Sequence, residues 1–212
     1  MKAYKLLLTL AVAAASLSAA KAQQLGVDFS YPSTNFSNGA WTLGYEFYVN
    51  SSVTVTGLAV YDPNGNNFDI GTALPQSQEV GLWDSSGNLL TSTWVNAGTT
   101  PTLGNGWFAS ASTTPVVLTA GDYYTVGATS GSENYTWNPT GFTSISQISF
   151  VSDEFVSGGS LQFPTSYSGV TGWFGGNIVV GGSVPDACPT WMLAAVAFSA
   201  IIALRRRALA LI

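Results

Sequence analysis

The chain has 212 residues, with six Lys or Arg, eleven Asp or Glu, no His and one Cys. All six cations are terminal (Lys2, Lys5, Lys21, Arg205, Arg206, Arg207), so Gln23 to Asp186 carries −11, eleven acids against no Lys, Arg, His or Cys. That stretch therefore excludes cation-based phosphate and nucleic-acid binding, Ser-His-Asp, Cys-His and Ser-Lys catalysis, and His/Cys zinc sites. Carboxylate chemistry, hard-cation binding through oxygen, aromatic stacking and non-catalytic roles remain.

In chain order, Lys2 and Lys5 precede an apolar run from Leu6 to Ala15, and Ala20-Lys21-Ala22 supplies a small-x-small site before Gln23. This pattern predicts a secretory signal peptide over 1–22, with Ala20 and Ala22 as its cleavage residues.

Residues 23–183 then alternate strand formers with turn formers and show no long helical period. Tyr45, Phe47 and Val49 alternate with Gly44, Glu46 and Tyr48, which predicts a half-buried strand. Val53 and Val55 point one way, and after Gly57 the phase passes to Leu58 and Val60, as at a bulge. Asp62, Asn64, Asn66 and Asp69 then place oxygen ligands around Gly65. Ca²⁺ takes six to eight such oxygens, so the four residues are a candidate calcium site. The alternative is a solvated Asx-rich turn, favoured because Asn67 and Ala73 stand where an EF-hand loop has Gly and Glu. No other cofactor is expected.

Glu79–Trp83 and Asn88–Val95 flank Asp84-Ser85-Ser86-Gly87 and predict a hairpin. Val116–Leu118 and Asp122–Ala128 around Thr119–Gly121 predict a second one. Strands over Ile145–Val151 and Asn177–Val180 bring the count to eight to ten. The expected fold is all-β, a single jelly-roll-like β-sandwich domain over 23–183, with a closed barrel as the alternative.

The segments Gly44-Tyr45-Glu46-Phe47, Val53–Leu58, Tyr61-Asp62, Glu79–Gly87 and Leu118–Tyr124 occur in order. Together they resemble an uncharacterised β-sandwich domain of bacterial surface proteins. The resemblance covers about half the chain and implies a sandwich fold and a cell-surface setting. It brings no catalytic residues with it.

Asp153-Glu154 is the adjacent carboxylate pair, and strand neighbours face opposite sides, so it is not a catalytic dyad. Six Trp lie in the domain: 41, 83, 94, 107, 137 and 173. Trp83 reads as core. Trp173, in a Gly-rich stretch from Gly169 to Gly176, reads as a loop residue and the candidate ligand contact.

The tail, 184–212, opens with Val184-Pro185-Asp186. Residues 187–204 form an uncharged run of eighteen, and Arg205–Arg207 follow. As a helix that run spans roughly 27 Å, close to the ~30 Å hydrocarbon core, which predicts one transmembrane helix with the Arg cluster as cytoplasmic stop-transfer charge. Cys188 is the only cysteine, so no intramolecular disulfide forms; it reads as a small apolar residue opening the span, with lipidation or an intermolecular bond as alternatives. The three features in order resemble the PEP-CTERM class of bacterial sorting signals, in its VPDSG-CTERM variant. The resemblance implies an exosortase-like sorting enzyme as partner, Val184, Pro185 and Asp186 as the sorting motif, and a chain anchored in the membrane until it is processed.

Three functions are therefore expected in order: an exported, non-enzymatic cell-surface or extracellular-matrix protein with a structural or adhesive role, a carbohydrate-binding module holding extracellular polysaccharide, and a carboxylate-based glycoside hydrolase.

Overall fold

The computed structural model describes residues 23–181, apart from 30–33, 37–38, 62–73, 101–102, 104–106, 111–112, 132–134 and 170–171. The predicted signal peptide 1–22 and the tail 184–212 lie outside the described residues. Among those described, no helix is long and apolar enough to cross a membrane.

The described residues form fifteen strands. They are β1 (Gln24–Leu25), β2 (Val27–Asp28), β3 (Thr34–Phe36), β4 (Trp41–Val49), β5 (Val53–Tyr61), β6 (Gln78–Asp84), β7 (Leu89–Val95) and β8 (Trp107–Ser110). There follow β9 (Val116–Leu118), β10 (Tyr123–Thr129), β11 (Tyr135–Trp137), β12 (Thr143–Ser144), β13 (Ile148–Ser157), β14 (Trp173–Phe174) and β15 (Gly176–Val180). One five-stranded sheet runs β1-β15-β5-β8, with β9 also paired to β5. The other runs β13-β4-β10-β6-β7. Smaller sheets are β14-β11-β3 and β12-β2. Neither large sheet closes on itself, which sets aside the closed barrel; the two share one core instead. Tyr45, Phe47, Val80, Leu82 and Val126 from one sheet are buried with Val55, Leu58, Val60, Leu118 and Ile178 from the other.

The alternation in β4 has the expected sense: Tyr45, Phe47 and Val49 are buried, while Glu46 and Tyr48 are half-buried. In β5 the ladder to β15 pairs Val179 with Gly57 but Val180 with Val55, so Thr56 is the extra residue of a bulge. That bulge is the phase change read at Gly57. The β6–β7 hairpin also forms as read. Asp84 Oδ1 accepts from the backbone N–H of Ser86 and of Asn88, both at 2.9 Å, and Gly87 supplies the positive φ of 79°.

The second predicted hairpin does not form. Val116–Leu118 pairs with β5, and Tyr123–Thr129 pairs with β4 and β6. The turn between them passes the chain from one sheet to the other. It is held by Gly121 N–H donating to the Val49 carbonyl and Val49 N–H donating to that of Asp122. A turn signature shows where a chain reverses, not which sheet it enters.

One buried polar cluster spans the core. Tyr45 Oη, on β4, donates to Asn177 Oδ1, on β15, at 2.6 Å. The same oxygen accepts from Val27 N–H at 3.2 Å, and Asn177 Nδ2 donates to the Val27 carbonyl at 2.7 Å. Burial pushes the Tyr45 phenol well above its usual range, a backbone hydrogen bond at Ile178 offsetting part of the rise, so it stays a neutral donor. Tyr45→Phe leaves Asn177 Oδ1 its bond to Val27 and should cost about 1 kcal/mol. Asn177→Ala strands both Val27 groups and opens a cavity, and should cost about 3 kcal/mol. Urea unfolding of the two variants measures this; equal costs would mean that Asn177 does not organise the cluster.

Candidate functional site

The outer face of the β13-β4-β10-β6-β7 sheet divides into a covered half and an open half. After β13 the chain folds back across it. Gly158 N–H donates to the Ala40 carbonyl, and Thr42 Oγ1 accepts from Gln162 N–H at 3.2 Å. Phe163 packs edge-on against Trp83 with centroids 6.0 Å apart. Gly81 lies beneath Trp83 and Leu161, so that an added Cβ would meet their atoms at 2.7 to 2.9 Å. Trp83 is thus buried as expected, but on the outer face and under this strap rather than between the sheets.

The open half holds two cross-strand rows. Ser152, Glu46 and Thr125 stand in register across β13, β4 and β10, with Thr125 buried and the other two half-buried. Ser149, Tyr48 and Tyr123 form the next row, and the two tyrosine rings lie 5.1 Å apart. Glu154 stands opposite Gly44, one row up from Ser152, and therefore diagonal to Glu46. Ser152 Oγ donates to Glu154 Oε1 at 3.0 Å. Burial pushes the Glu154 carboxyl up to about 7; the Ser152 bond opposes this, and the charges of Glu46 and Asp153 add to it. Burial also raises Glu46. The face thus offers one carboxyl that takes a proton near neutral pH, a second carboxylate, the hydroxyls of Ser149 and Ser152, and an aromatic pair. It can exchange hydrogen bonds with a hydroxyl-rich ligand and stack against its apolar faces.

Asp153 and Glu154 do face opposite ways. Asp153 pairs in register with Tyr45 and is fully buried, and its two oxygens accept from Ser168 N–H and Oγ at 3.1 and 2.8 Å. The pairing that matters is Glu154 with Glu46, far apart in sequence and joined only by sheet register. Of the sequence-derived candidates, Asp62, Asn64, Asn66 and Asp69 lie outside the described residues, as do Ala20, Ala22, Val184–Asp186 and Arg205–Arg207. Trp173 sits in the short strand β14, its backbone paired with Trp137, rather than in a loop. The described tryptophan that faces solvent is Trp94, 53 % exposed on β7. Elsewhere on the domain, a concavity of about 280 Å³ is lined by residues including Gln24, Asp28, Leu103, Thr143 and Ile145. Among the described residues no three His, Cys, Asp or Glu come together as a metal site.

Residues 30–172 match the family described as Domain of unknown function (DUF4082), and the chain belongs to that family. No curated protein matches the chain. Among solved structures, it is similar to one titled crystal structure of infectious bursal disease virus VP2 subviral particle, at 10 % identity and a TM-score of 0.25. That similarity covers 78 % of this chain and 34 % of the other, so the chain spans about a third of that protein's length. A TM-score of this size does not establish a shared fold.

A pH dependence follows from Glu154. Its folded pKa lies above its ordinary value of 4.5, so the folded protein holds more protons than the unfolded chain between that value and about 7. Stability should therefore be highest at the acid end of this window, fall as pH rises through it and level off above. Asp84, lowered by its bonds to Asn88, acts in the opposite sense, and only below its ordinary value of 3.8. Thermal melts from about pH 5 to about pH 8 should show Tm falling with pH, and Glu154→Gln should flatten the slope. A Tm that rises with pH across that range contradicts the assignment.

Proposed function

We propose that the protein is exported and held at the cell surface or in the extracellular matrix, where its β-domain has a structural or adhesive role without catalysis. The observation that carries this reading is the segregation of charge. A cationic, apolar leader with small residues at Ala20 and Ala22 precedes an all-β, cation-free domain. Val184-Pro185-Asp186, an uncharged run and Arg205–Arg207 follow it. In this reading the tail is a PEP-CTERM-type signal, the apolar run anchors the chain, and an exosortase-like membrane enzyme is its partner. The absence of imidazole, thiol or amine from 23–186 supports a non-enzymatic role, as does the position of Glu46 and Glu154 on an open sheet face. The strand orders support a jelly-roll-like sandwich: β1-β15-β5-β8 and β4-β10-β6-β7 form two four-stranded antiparallel layers between which the chain passes repeatedly, and β13 extends one of them. Fractionation of cells producing the full chain tests the proposal. The protein should appear in the envelope, and replacing Arg205, Arg206 and Arg207 by Asn should release or mislocalise it. A full-length, soluble cytoplasmic protein would overturn the reading.

The second reading, a carbohydrate-binding module for extracellular polysaccharide, is favoured by the Tyr48–Tyr123 pair beside Glu46, Ser149, Ser152 and Glu154. Calcium held by Asp62, Asn64, Asn66 and Asp69, with Trp173 as a further contact, belongs to this proposal. A glycan array run with calcium and with chelator should show retention that Tyr48→Ala and Tyr123→Ala each reduce at least tenfold, equivalent to about 1.4 kcal/mol. Retention lost on chelation supports the calcium loop. An array without retained glycans leaves the structural role.

A further inference from the structure

We infer that the β7 edge is a self-association surface, and that two copies of this chain pair there antiparallel about a twofold axis at Ser92. β7 is joined to β6 along one side and, among the described residues, to no second strand. An open edge offers backbone donors and acceptors to another strand, and proteins usually blunt such edges with charge, proline or shortness. β7 has seven residues and neither charge nor proline, and its bulge at Leu90 leaves Thr91–Val95 regular. The opposite edge strand, β13, carries Asp153 and Glu154, and at the edges of the other large sheet β1, β8 and β9 have two, four and three residues. Leu89, Leu90 and Trp94 of β7 are 51 %, 39 % and 53 % exposed, a row of apolar side chains facing water.

Pattern and charge both fit a second copy of the chain as the occupant. Leu90-Thr91-Ser92-Thr93-Trp94 reads the same in either direction: apolar, Thr, Ser, Thr, apolar. Antiparallel pairing centred on Ser92 sets Leu90 against Trp94 twice and Thr91 against Thr93 twice, the self-complementarity an isologous contact requires. Leu90 is the extra residue of a bulge, because Trp83 pairs with Leu89 and Leu82 with Thr91, so the regular edge begins at Thr91. The regular ladder about Ser92 therefore covers Thr91–Thr93, with Leu90 and Trp94 meeting at its two ends. Charge favours the same place. Residues 23–186 of each copy carry eleven acids and no cation, so most other approaches set carboxylates against carboxylates. The 37 residues from Ser85 to Gly121, which contain β7, carry no charge.

A cysteine at the axis tests the geometry. In the full chain with Cys188→Ser, Ser92→Cys should form a disulfide-linked dimer on mild oxidation, since directly paired strand residues have Cα atoms roughly 4.5–5.5 Å apart and disulfides tolerate that separation. Thr114→Cys, exposed elsewhere on the domain, should not. Analytical ultracentrifugation should show twice the chain mass for the unmodified protein and the single mass for Leu90→Lys and for Trp94→Lys, with melting temperatures preserved because both side chains face solvent. A chain that stays monomeric at micromolar concentration overturns the proposal. So does a dimer that survives both Lys substitutions, or one that cross-links equally at Ser92→Cys and Thr114→Cys. An open ladder of higher oligomers also counts against it, because a twofold contact closes at two.

Discussion

The Tyr45–Asn177–Val27 cluster is the contact on which the arrangement of the two large sheets depends. The core around it is built from Val, Leu, Ile, Phe and Tyr side chains, whose burial supplies most of the favourable free energy and has no preferred direction. Two greasy faces can slide over one another at little cost. A buried phenol and a buried amide cannot, because each misplaced donor or acceptor loses its full hydration without return. Tyr45 comes from one sheet and Asn177 from the other, and the Asn177 amide also pairs with the backbone of β2. One side chain therefore sets the offset between the layers and the docking of the N-terminal strands.

Glycine permits a close approach between those layers. A Cβ on Gly176 would lie 2.5 to 2.8 Å from backbone atoms of Gly127 and Ala128, so the sheets come together there because residue 176 lacks a side chain. Closure at this corner leaves the opposite face of β4 and β10 as the place where chemistry accumulates. The strap after β13 covers the part of that face over Gly81 and Trp83, and the uncovered part keeps the two carboxyls and the tyrosines. The candidate site is thus the remainder of a packing solution: the sheet face that neither the second sheet nor the strap occupies.

The acids of a cation-free domain have to be accommodated one by one. Asp84 is stabilised as a carboxylate by the N–H groups of its own turn and by Asn88. Asp153 is buried with both oxygens bonded to Ser168. Glu154 has one serine hydroxyl and a like-charged neighbour, and it responds by keeping a proton to higher pH. Simple repulsion among the acids would predict a uniform upward shift; local hydrogen bonding and burial divide them instead, with burial the larger cause at Glu154. The uncharged flank around β7 is the complement of this distribution.

Sequence alone determined the all-β character, the inward row of Tyr45, Phe47 and Val49, the bulge before Leu58 and the Asp84–Gly87 turn. Each of these is set by side chains within a few residues of one another, through period-two alternation or local hydrogen bonding. The sheet assignments were decided by tertiary structure: Leu118 and Tyr123, on either side of one four-residue turn, pair in different sheets. So was the open face, because Glu46 and Glu154 meet only through the β4–β13 ladder. Trp94 faces solvent and Trp83 does not, although both read as strand aromatics. Alternation can sort residues onto two faces, but which face meets a second sheet, a strap or water depends on segments far along the chain, and no local pattern encodes that.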